Sequence, residues 1–285
     1  MKKILKVLLL LGFTLYLTSC SSDDNNINTV EPVNLLKIND INVPVTIARA
    51  IKTDNLINIE VTGAFGSIYF YINPSGKMYD ATGEINSANE GVIFENFENN
   101  PSIEFDFNLL EFDPITKKIK GKFTGKLYSD RNDLNSESSK WDGFFNITYV
   151  ENVILGNSSN LLTTAKIGTL DWVGTSFSYS PNNFQNTYGL KIKSNDAHFM
   201  NIVIPFYNRI IGNYTFNSSS QVYKVFFYKY DSTLNELVEY STSGNINFTD
   251  INSYFVQGTF NFIATHPTNG TTINVTNGVF KESVE

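Results

Sequence analysis

Apolar and polar residues alternate with a period of two along much of the chain, and this alternation limits the fold more than any other feature. In the run 68–72, Ile68, Phe70 and Ile72 alternate with two tyrosines, as expected for a strand with one face in a core. Similar alternation recurs at 103–109, 223–227, 246–248, 260–262 and 273–275. No long stretch shows the i, i+3, i+4 apolar spacing of an amphipathic helix, so the sequence predicts strands throughout.

Turn-forming sequences separate these runs. They are Asn73-Pro74-Ser75-Gly76, Asp113-Pro114, Asn269-Gly270 and Asn277-Gly278. Asn-Gly supplies the positive φ angles that a tight hairpin turn requires. The composition agrees, because 23 Phe and 15 Tyr accompany only 8 Ala, and aromatic residues favour strands whereas Ala favours helices. We therefore predict an all-β chain of antiparallel, sandwich-like domains, with a barrel-like architecture as the alternative.

A pair of glycine–aromatic motifs occurs twice, which indicates an internal repeat. The motifs are Gly121-Lys122-Phe123 with Gly143-Phe144-Phe145, and Gly258-Thr259-Phe260 with Gly278-Val279-Phe280. Upstream, Gly76 and Gly212 stand 45 and 46 residues before the first motif of each pair, and they extend the match. We interpret the two halves as related β-domains over 35–152 and 160–285, each of a length that can bury its own core.

The N-terminus has the features of an export signal. Lys2, Lys3 and Lys6 form a basic segment, and the apolar run 8–17 that follows is too short to span a bilayer as a helix. We predict a signal peptide over 1–19. Its removal would take away three lysines and change the formal net charge from −7 to −10.

The sequence Leu17-Thr18-Ser19-Cys20 resembles the bacterial lipobox, and Cys20 is the single cysteine of the chain. The resemblance implies that Cys20 is diacylated and anchors the protein in a membrane, the alternative being an ordinary secretory signal. Two acyl chains hold a protein stably where one does not. Ser21 to Asn26 resemble the acidic tether of flavobacterial-type lipoproteins, which implies display on the outer face of the outer membrane. We predict a flexible tether over 20–34.

The end of the chain carries a further resemblance. Gly258-Thr259-Phe260-Asn261-Phe262-Ile263-Ala264 and Thr276-Asn277-Gly278-Val279-Phe280 form the pattern GTFxFxA…NGxF. Together with residues from about 170 onwards, this pattern resembles a family of uncharacterised lipoproteins from Bacteroidetes-type bacteria. The resemblance implies a β-rich domain at the cell surface, and it supplies no catalytic residues.

Several kinds of chemistry are disfavoured by the composition. The acidic balance of 28 Asp+Glu against 21 Lys+Arg argues against a nucleic-acid partner, and one Cys with two His excludes a Cys/His zinc site and a disulfide framework. We predict no metal, no cofactor and no enzymatic activity. Glu104 and Asp106, about 7 Å apart on one predicted strand face, leave an accessory hydrolase as a less favoured alternative.

Aromatic side chains in excess of what one core face holds are the best binding candidates, since an exposed ring can stack on the apolar face of a sugar. The candidates are Trp141, Trp172, Tyr69, Tyr71, Tyr228 and Tyr230. We expect a module of the outer membrane that binds an extracellular glycan or protein ligand. The alternatives are a structural or assembly partner of another envelope protein, and burial of these rings at a domain interface.

One short motif indicates a modification. Asp231-Ser232-Thr233 resembles the O-glycosylation sequence of Bacteroidetes-type bacteria, which implies Ser232 as the acceptor. The alternative is a chance occurrence of a three-residue pattern.

Overall fold

Strands form all the regular structure described by the computed structural model, which covers residues 34–86, 91–152, 161–182, 186–205 and 207–283. No helix occurs within these ranges, so the predicted all-β class is confirmed. It follows that no described segment is a helix long and apolar enough to cross a membrane.

Ten strands from the first half of the chain form the first sheet. They are β1 (Leu35–Ile38), β2 (Ile41–Val43), β3 (Val45–Thr53), β4 (Leu56–Gly63), β5 (Gly66–Ile72), β6 (Met78–Asn86), β7 (Gly91–Glu95), β8 (Phe105–Asp113), β9 (Lys118–Tyr128) and β10 (Ser138–Asn152). Their order across the sheet is β2-β1-β10-β3-β4-β5-β6-β7-β9-β8. Because β10 also pairs with β9, the two sides of the sheet are brought together.

Nine strands from the second half form the second sheet. They are β11 (Leu162–Ile167), β12 (Leu170–Asn182), β13 (Thr187–Lys193), β14 (His198–Pro205), β15 (Gly212–Phe216), β16 (Lys224–Asp231), β17 (Glu236–Ile251), β18 (Phe255–Thr265) and β19 (Thr272–Ser283). Pairing of β17 with β18 closes eight of them into a barrel, and β15 pairs with β17 beyond the segment of β17 that pairs with β16. The barrel-like alternative therefore describes this half.

The first sheet follows the same order of pairings as the second, with two strands interrupted. In the second sheet, the single strand β12 pairs first with β11 and further along with β13. In the first sheet two strands share this role: β2 pairs with β1, β3 pairs with β4, and Pro44 lies between β2 and β3. Similarly, the single strand β17 pairs first with β16 and then with β18. In the first sheet, β7 pairs with β6 and β8 pairs with β9, and a loop at 96–104 lies between β7 and β8. Contacts join Val33–Glu285 into one compact unit. The division of this unit into two separate domains therefore stays a prediction.

The Gly-x-Phe motifs pair with one another across the last hairpin of the first sheet. Gly121 lies opposite Phe145, and Phe123 lies opposite Gly143, on β9 and β10. A Cβ atom on Gly121 would lie 2.4 Å from Cζ of Phe145, and one on Gly143 would lie 2.3 Å from Cζ of Phe123. Each glycine therefore leaves room for a ring of the facing strand, a known way of covering glycine within a sheet.

The second sheet repeats this arrangement on β18 and β19. Gly258 lies opposite Phe280, and Phe260 lies opposite Gly278. A Cβ atom on Gly278 would lie 2.3 Å from the Phe260 ring. The repeated sequence motif thus corresponds to a repeated local structure, in which the rings also fill the core.

Two details of the sequence-based prediction were wrong. Gly76 lies in the turn before β6, but Gly212 begins β15, which has no counterpart in the first sheet, so these glycines are not equivalent. Asn277-Gly278 is not a hairpin turn but lies inside β19, where Asn277 has a φ of 53° and the register with β18 shifts. Asn adopts positive φ in a β-bulge as readily as in a turn, so the dipeptide alone does not distinguish them.

Candidate functional site

The loop over 96–104, which separates β7 from β8, lies against the second sheet. The ring of Phe97 meets the ring of Tyr230 edge-on, with centroids 5.0 Å apart, and both side chains are buried. Ser102 donates a hydrogen bond through Oγ to the backbone carbonyl of Asn195. The interruption of this strand in the first sheet therefore provides contacts with the second sheet.

Local hydrogen bonds shape both ends of this loop. At its start, the Oδ1 atom of the buried Asn96 accepts the backbone N–H of Ala81 at 2.6 Å. At its end, Glu104 has a φ of 55° and its carboxylate lies 2.8 Å from Nζ of Lys126. Glu104 thus precedes β8 and is paired with a lysine, so it does not form the expected strand-face carboxylate pair with Asp106.

A cluster of half-buried charges lies beside the loop and joins the two sheets. The guanidinium of Arg131, from the connection between β9 and β10, lies 3.1 Å from Asp80 and 2.8 Å from Glu95. Arg131 also forms an ion pair with Glu98, which in turn lies 3.2 Å from Nζ of Lys193 on β13. Because these groups are largely shielded from water, their attraction is screened less than that of surface pairs.

A cleft of about 630 Å³ lies between this charge cluster and the outer face of the second sheet. Its volume is within the range of small-molecule binding sites. One wall comes from the first sheet and its loops: Asp80, Glu98, Asn99 and Arg131. The other wall comes from β13, β14, β16 and β17: Lys191, Ile192, Lys193, Phe199, Met200, Asn201, Tyr228 and Leu237. Neither half of the chain forms the cleft alone.

Two aromatic residues form the apolar part of the second wall. Phe199 on β14 lies directly opposite Tyr228 on β16, and both side chains are partly exposed. Their neighbours along the strands, Met200 and Phe227, are buried and belong to the core of the barrel. The strand alternation therefore turns Phe199 and Tyr228 outward, side by side, where a ligand can contact them.

Two polar atoms of the cleft residues are buried without a hydrogen-bond partner among the described residues: Oδ1 of Asn201 and Nε of Arg131. The space for the Asn201 amide exists because residue 189 is glycine, where a Cβ atom would lie 2.8 Å from that Oδ1. An unpaired buried polar atom costs free energy, and both of these atoms are covered by protein rather than open to the cleft.

The phenol of Tyr228 stays neutral over the physiological pH range. Burial, followed by charge repulsion from Glu239 and a hydrogen bond to it, raises the pKa of Tyr228 to about 12. The ring thus presents an uncharged face to the cleft.

Neither tryptophan is available to a ligand, which corrects the expectation for both. Trp141 and Trp172 are 0% and 1% exposed. The Trp141 indole covers Gly83, where a Cβ atom would lie 2.5 Å from its Cζ2, and Trp172 covers Gly174. Fully buried rings cannot stack on a sugar, so these two serve the cores.

The four predicted tyrosines lie in different places. Tyr69 and Tyr71 are half-buried on the outer face of the first sheet, opposite Thr82 and Asp80, and they do not line the cleft. Tyr230 is 5% exposed beneath Phe97, so it lies at the interface between the sheets. Of the predicted binding residues, Tyr228 lines the cleft.

Ser232 is exposed in the turn between β16 and β17, where an enzyme could reach it. The Asp231 carboxylate shapes this turn by accepting the backbone N–H groups of Thr233 at 2.8 Å and Leu234 at 3.3 Å. Cys20, the signal 1–19 and all but the last residue of the tether 20–34 lie outside the described residues.

Comparison with known proteins identifies a match to a family model. Residues 164–283 match the family model named Domain of unknown function (DUF6252), which covers the barrel and less than half of the chain. This range includes the end motif on which the lipoprotein resemblance was based, and the matched domain is uncharacterised. No curated protein matches the chain, and no solved structure matches it.

Proposed function

We propose that the chain is a non-enzymatic binding module, anchored to the outer membrane through Cys20 and displayed at the cell surface. Its extracellular ligand, a glycan or a protein, occupies the cleft between the two sheets. The observation that carries the proposal is the pair Phe199 and Tyr228, side by side at a cleft that Asn201 and Arg131 also line.

The charges of the cleft support binding rather than hydrolysis. A glycosidase needs two carboxyl groups that face each other across the scissile bond. The two acidic residues that line the cleft, Asp80 and Glu98, come from the same wall, and both are paired with Arg131.

The experiment compares ligand capture by the wild-type protein and by a cleft variant. Immobilised full-length protein, extracted from membranes in mild detergent, is incubated with a glycan array and, separately, with solubilised envelope proteins. We expect a ligand that the wild type retains and that the double variant Phe199→Ala/Tyr228→Ala loses. The matched control is Tyr69→Ala, which removes a half-buried outer-face ring that does not line the cleft. Retention of every ligand by the double variant would contradict the proposal.

A second candidate function is assembly with another envelope protein, favoured by one exposed apolar segment. Tyr207, Ile210 and Ile211, in the connection between β14 and β15, are 67%, 61% and 57% exposed. Large exposed apolar side chains that are close in sequence are typical of protein contacts. A partner lost on Ile210→Ser/Ile211→Ser, and retained by the cleft double variant, would support this candidate.

A further inference from the structure

We infer that the ligand of the cleft is a neutral carbohydrate, with the face of one pyranose ring on Phe199 and Tyr228. The inference rests on the proposed function and names its ligand class. The two rings lie on neighbouring strands and point to the same side of the sheet. A sugar ring presents a face of C–H groups of comparable size, which an aromatic surface can remove from water.

The polar atoms of the cleft match hydroxyl groups. A hydroxyl both donates and accepts hydrogen bonds, so it can pair with an amide such as Asn201 and with the cationic groups that line the cleft. A hydrocarbon ligand would remove these polar groups from water without replacing their hydrogen bonds, at a cost in free energy. Asn99 adds an amide on the opposite wall, and amides likewise form hydrogen bonds in both directions.

The balance of charge argues for a neutral ligand. Asp80 and Glu98 line the cleft together with Arg131, Lys191 and Lys193, and Arg131 is additionally paired with Glu95. With Glu95 and with Glu239, which hydrogen-bonds Tyr228, four acidic side chains stand against three basic ones, so the net charge around the cleft is small. A strongly anionic or cationic ligand would meet side chains of its own sign at close range, which is unfavourable.

The dimensions favour a small ligand over a folded protein. A stable protein–protein interface buries about 800 Å² on each partner over a broad surface. The cleft, by contrast, is a concave site of about 630 Å³ walled on two sides, a size suited to a few sugar rings.

The test is isothermal titration calorimetry on the full-length protein in mild detergent. The probes are neutral hexasaccharides of glucose, mannose, galactose and xylose, with polygalacturonate and a cationic chitosan oligomer as charged counterparts. We expect at least one neutral hexasaccharide to bind, and Phe199→Ala and Tyr228→Ala each to weaken it by about tenfold. Tyr69→Ala should bind as the wild type does, because Tyr69 does not line the cleft. Unchanged circular dichroism spectra and urea midpoints establish that each variant is folded.

Each other outcome overturns the inference, and two of them spare the proposed function. If only a charged probe binds in the cleft, or if the cleft double variant loses a captured envelope protein while no hexasaccharide binds, the ligand class is wrong and the module is still a binding module. If a hexasaccharide binds but the aromatic variants bind it equally well, the sugar site lies elsewhere. If no ligand of any kind depends on Phe199 and Tyr228, both proposals fail.

Discussion

Phe97 rests edge-on against Tyr230 with ring centroids 5.0 Å apart, and this contact joins the loop that interrupts the first sheet to the barrel of the second. Truncating a fully buried Phe to Ala removes apolar burial and leaves a cavity. We expect Phe97→Ala to lower the free energy of unfolding by about 3 kcal/mol, measured by urea denaturation. Phe65→Ala, at a ring that is 59% exposed, should change it by less than about 1 kcal/mol. Equal effects of the two variants would contradict the role of the contact.

The fit of Phe260 over Gly278 predicts a specific interaction between two substitutions. We expect Gly278→Ala to destabilise the protein by about 2 kcal/mol, because its Cβ would lie 2.3 Å from the ring. Phe260→Leu makes room for that methyl group, so the double variant should be more stable than the sum of the single effects predicts. Additive effects in a double-mutant cycle of urea midpoints would show that the ring does not lie over the glycine.

Alkaline pH should destabilise the protein partly through Tyr79. Burial raises the pKa of Tyr79 to about 12, whereas an unfolded tyrosine has a pKa of about 10. The native state therefore holds this proton when the unfolded state has lost it. The stability that the raised pKa contributes is complete below pH 10 and is lost as the pH rises towards 12, by about 2 to 3 kcal/mol.

The measurement is the free energy of unfolding in urea between pH 9 and pH 12. The free energy of unfolding of Tyr79→Phe should fall with pH less steeply than that of the wild type over this interval. The difference between the two slopes should correspond to about one bound proton. Tyr254→Phe, at a ring that is 50% exposed, should follow the wild-type slope. A wild-type slope in Tyr79→Phe would contradict the prediction.

Removal of the guanidinium from the half-buried charge cluster should lower the free energy of unfolding more than removal of a guanidinium at the surface. In Arg131→Ala, the carboxylates of Asp80, Glu95 and Glu98 lose their shared partner, and we expect a loss of about 2 kcal/mol. The matched control is Arg49→Ala, since Arg49 pairs with Glu60 but its side chain is 64% exposed. There we expect less than about 1 kcal/mol. Thermal or urea unfolding distinguishes the two, and similar losses would mean that the cluster behaves as a surface network.

Membrane anchoring is predicted to depend on one side chain. Cys20→Ser removes the thiol that would carry the acyl group, so we expect the protein to leave the membrane fraction and to lose incorporation of labelled palmitate. Ser19→Ala leaves Cys20 and a small residue before it in place, and is the control for effects on export. Membrane association and label retained in Cys20→Ser would exclude the lipobox interpretation.

Local alternation was sufficient to predict which way many side chains point. Ile68, Phe70 and Ile72 are buried and the tyrosines between them face outward, because strand geometry alone determines this. The same information could not separate Trp141 and Trp172 from surface aromatics. A large ring is suited both to a core and to a binding surface, and only the position of Gly83 or Gly174 beneath it decides between them.

The cleft could be predicted only in part because residues far apart in sequence form it. Glu98 and Lys193 are in contact although 95 positions separate them in the sequence, and no neighbouring residue of either one indicates the contact. Tyr228 was found through the surplus of aromatics on its strand. Arg131 lies in the polar connection between β9 and β10, and nothing in the local sequence distinguishes it from a residue of any solvated loop.

The break between β7 and β8 has a consequence for how such a protein can be divided or recombined. In the barrel the corresponding strand, β17, runs without interruption from Glu236 to Ile251. In the first sheet the equivalent pairings are divided between β7 and β8, and the loop between them supplies Glu98 and Asn99 to one wall of the cleft. Because residues of both sheets line the cleft, a fragment that carries one sheet alone does not contain it.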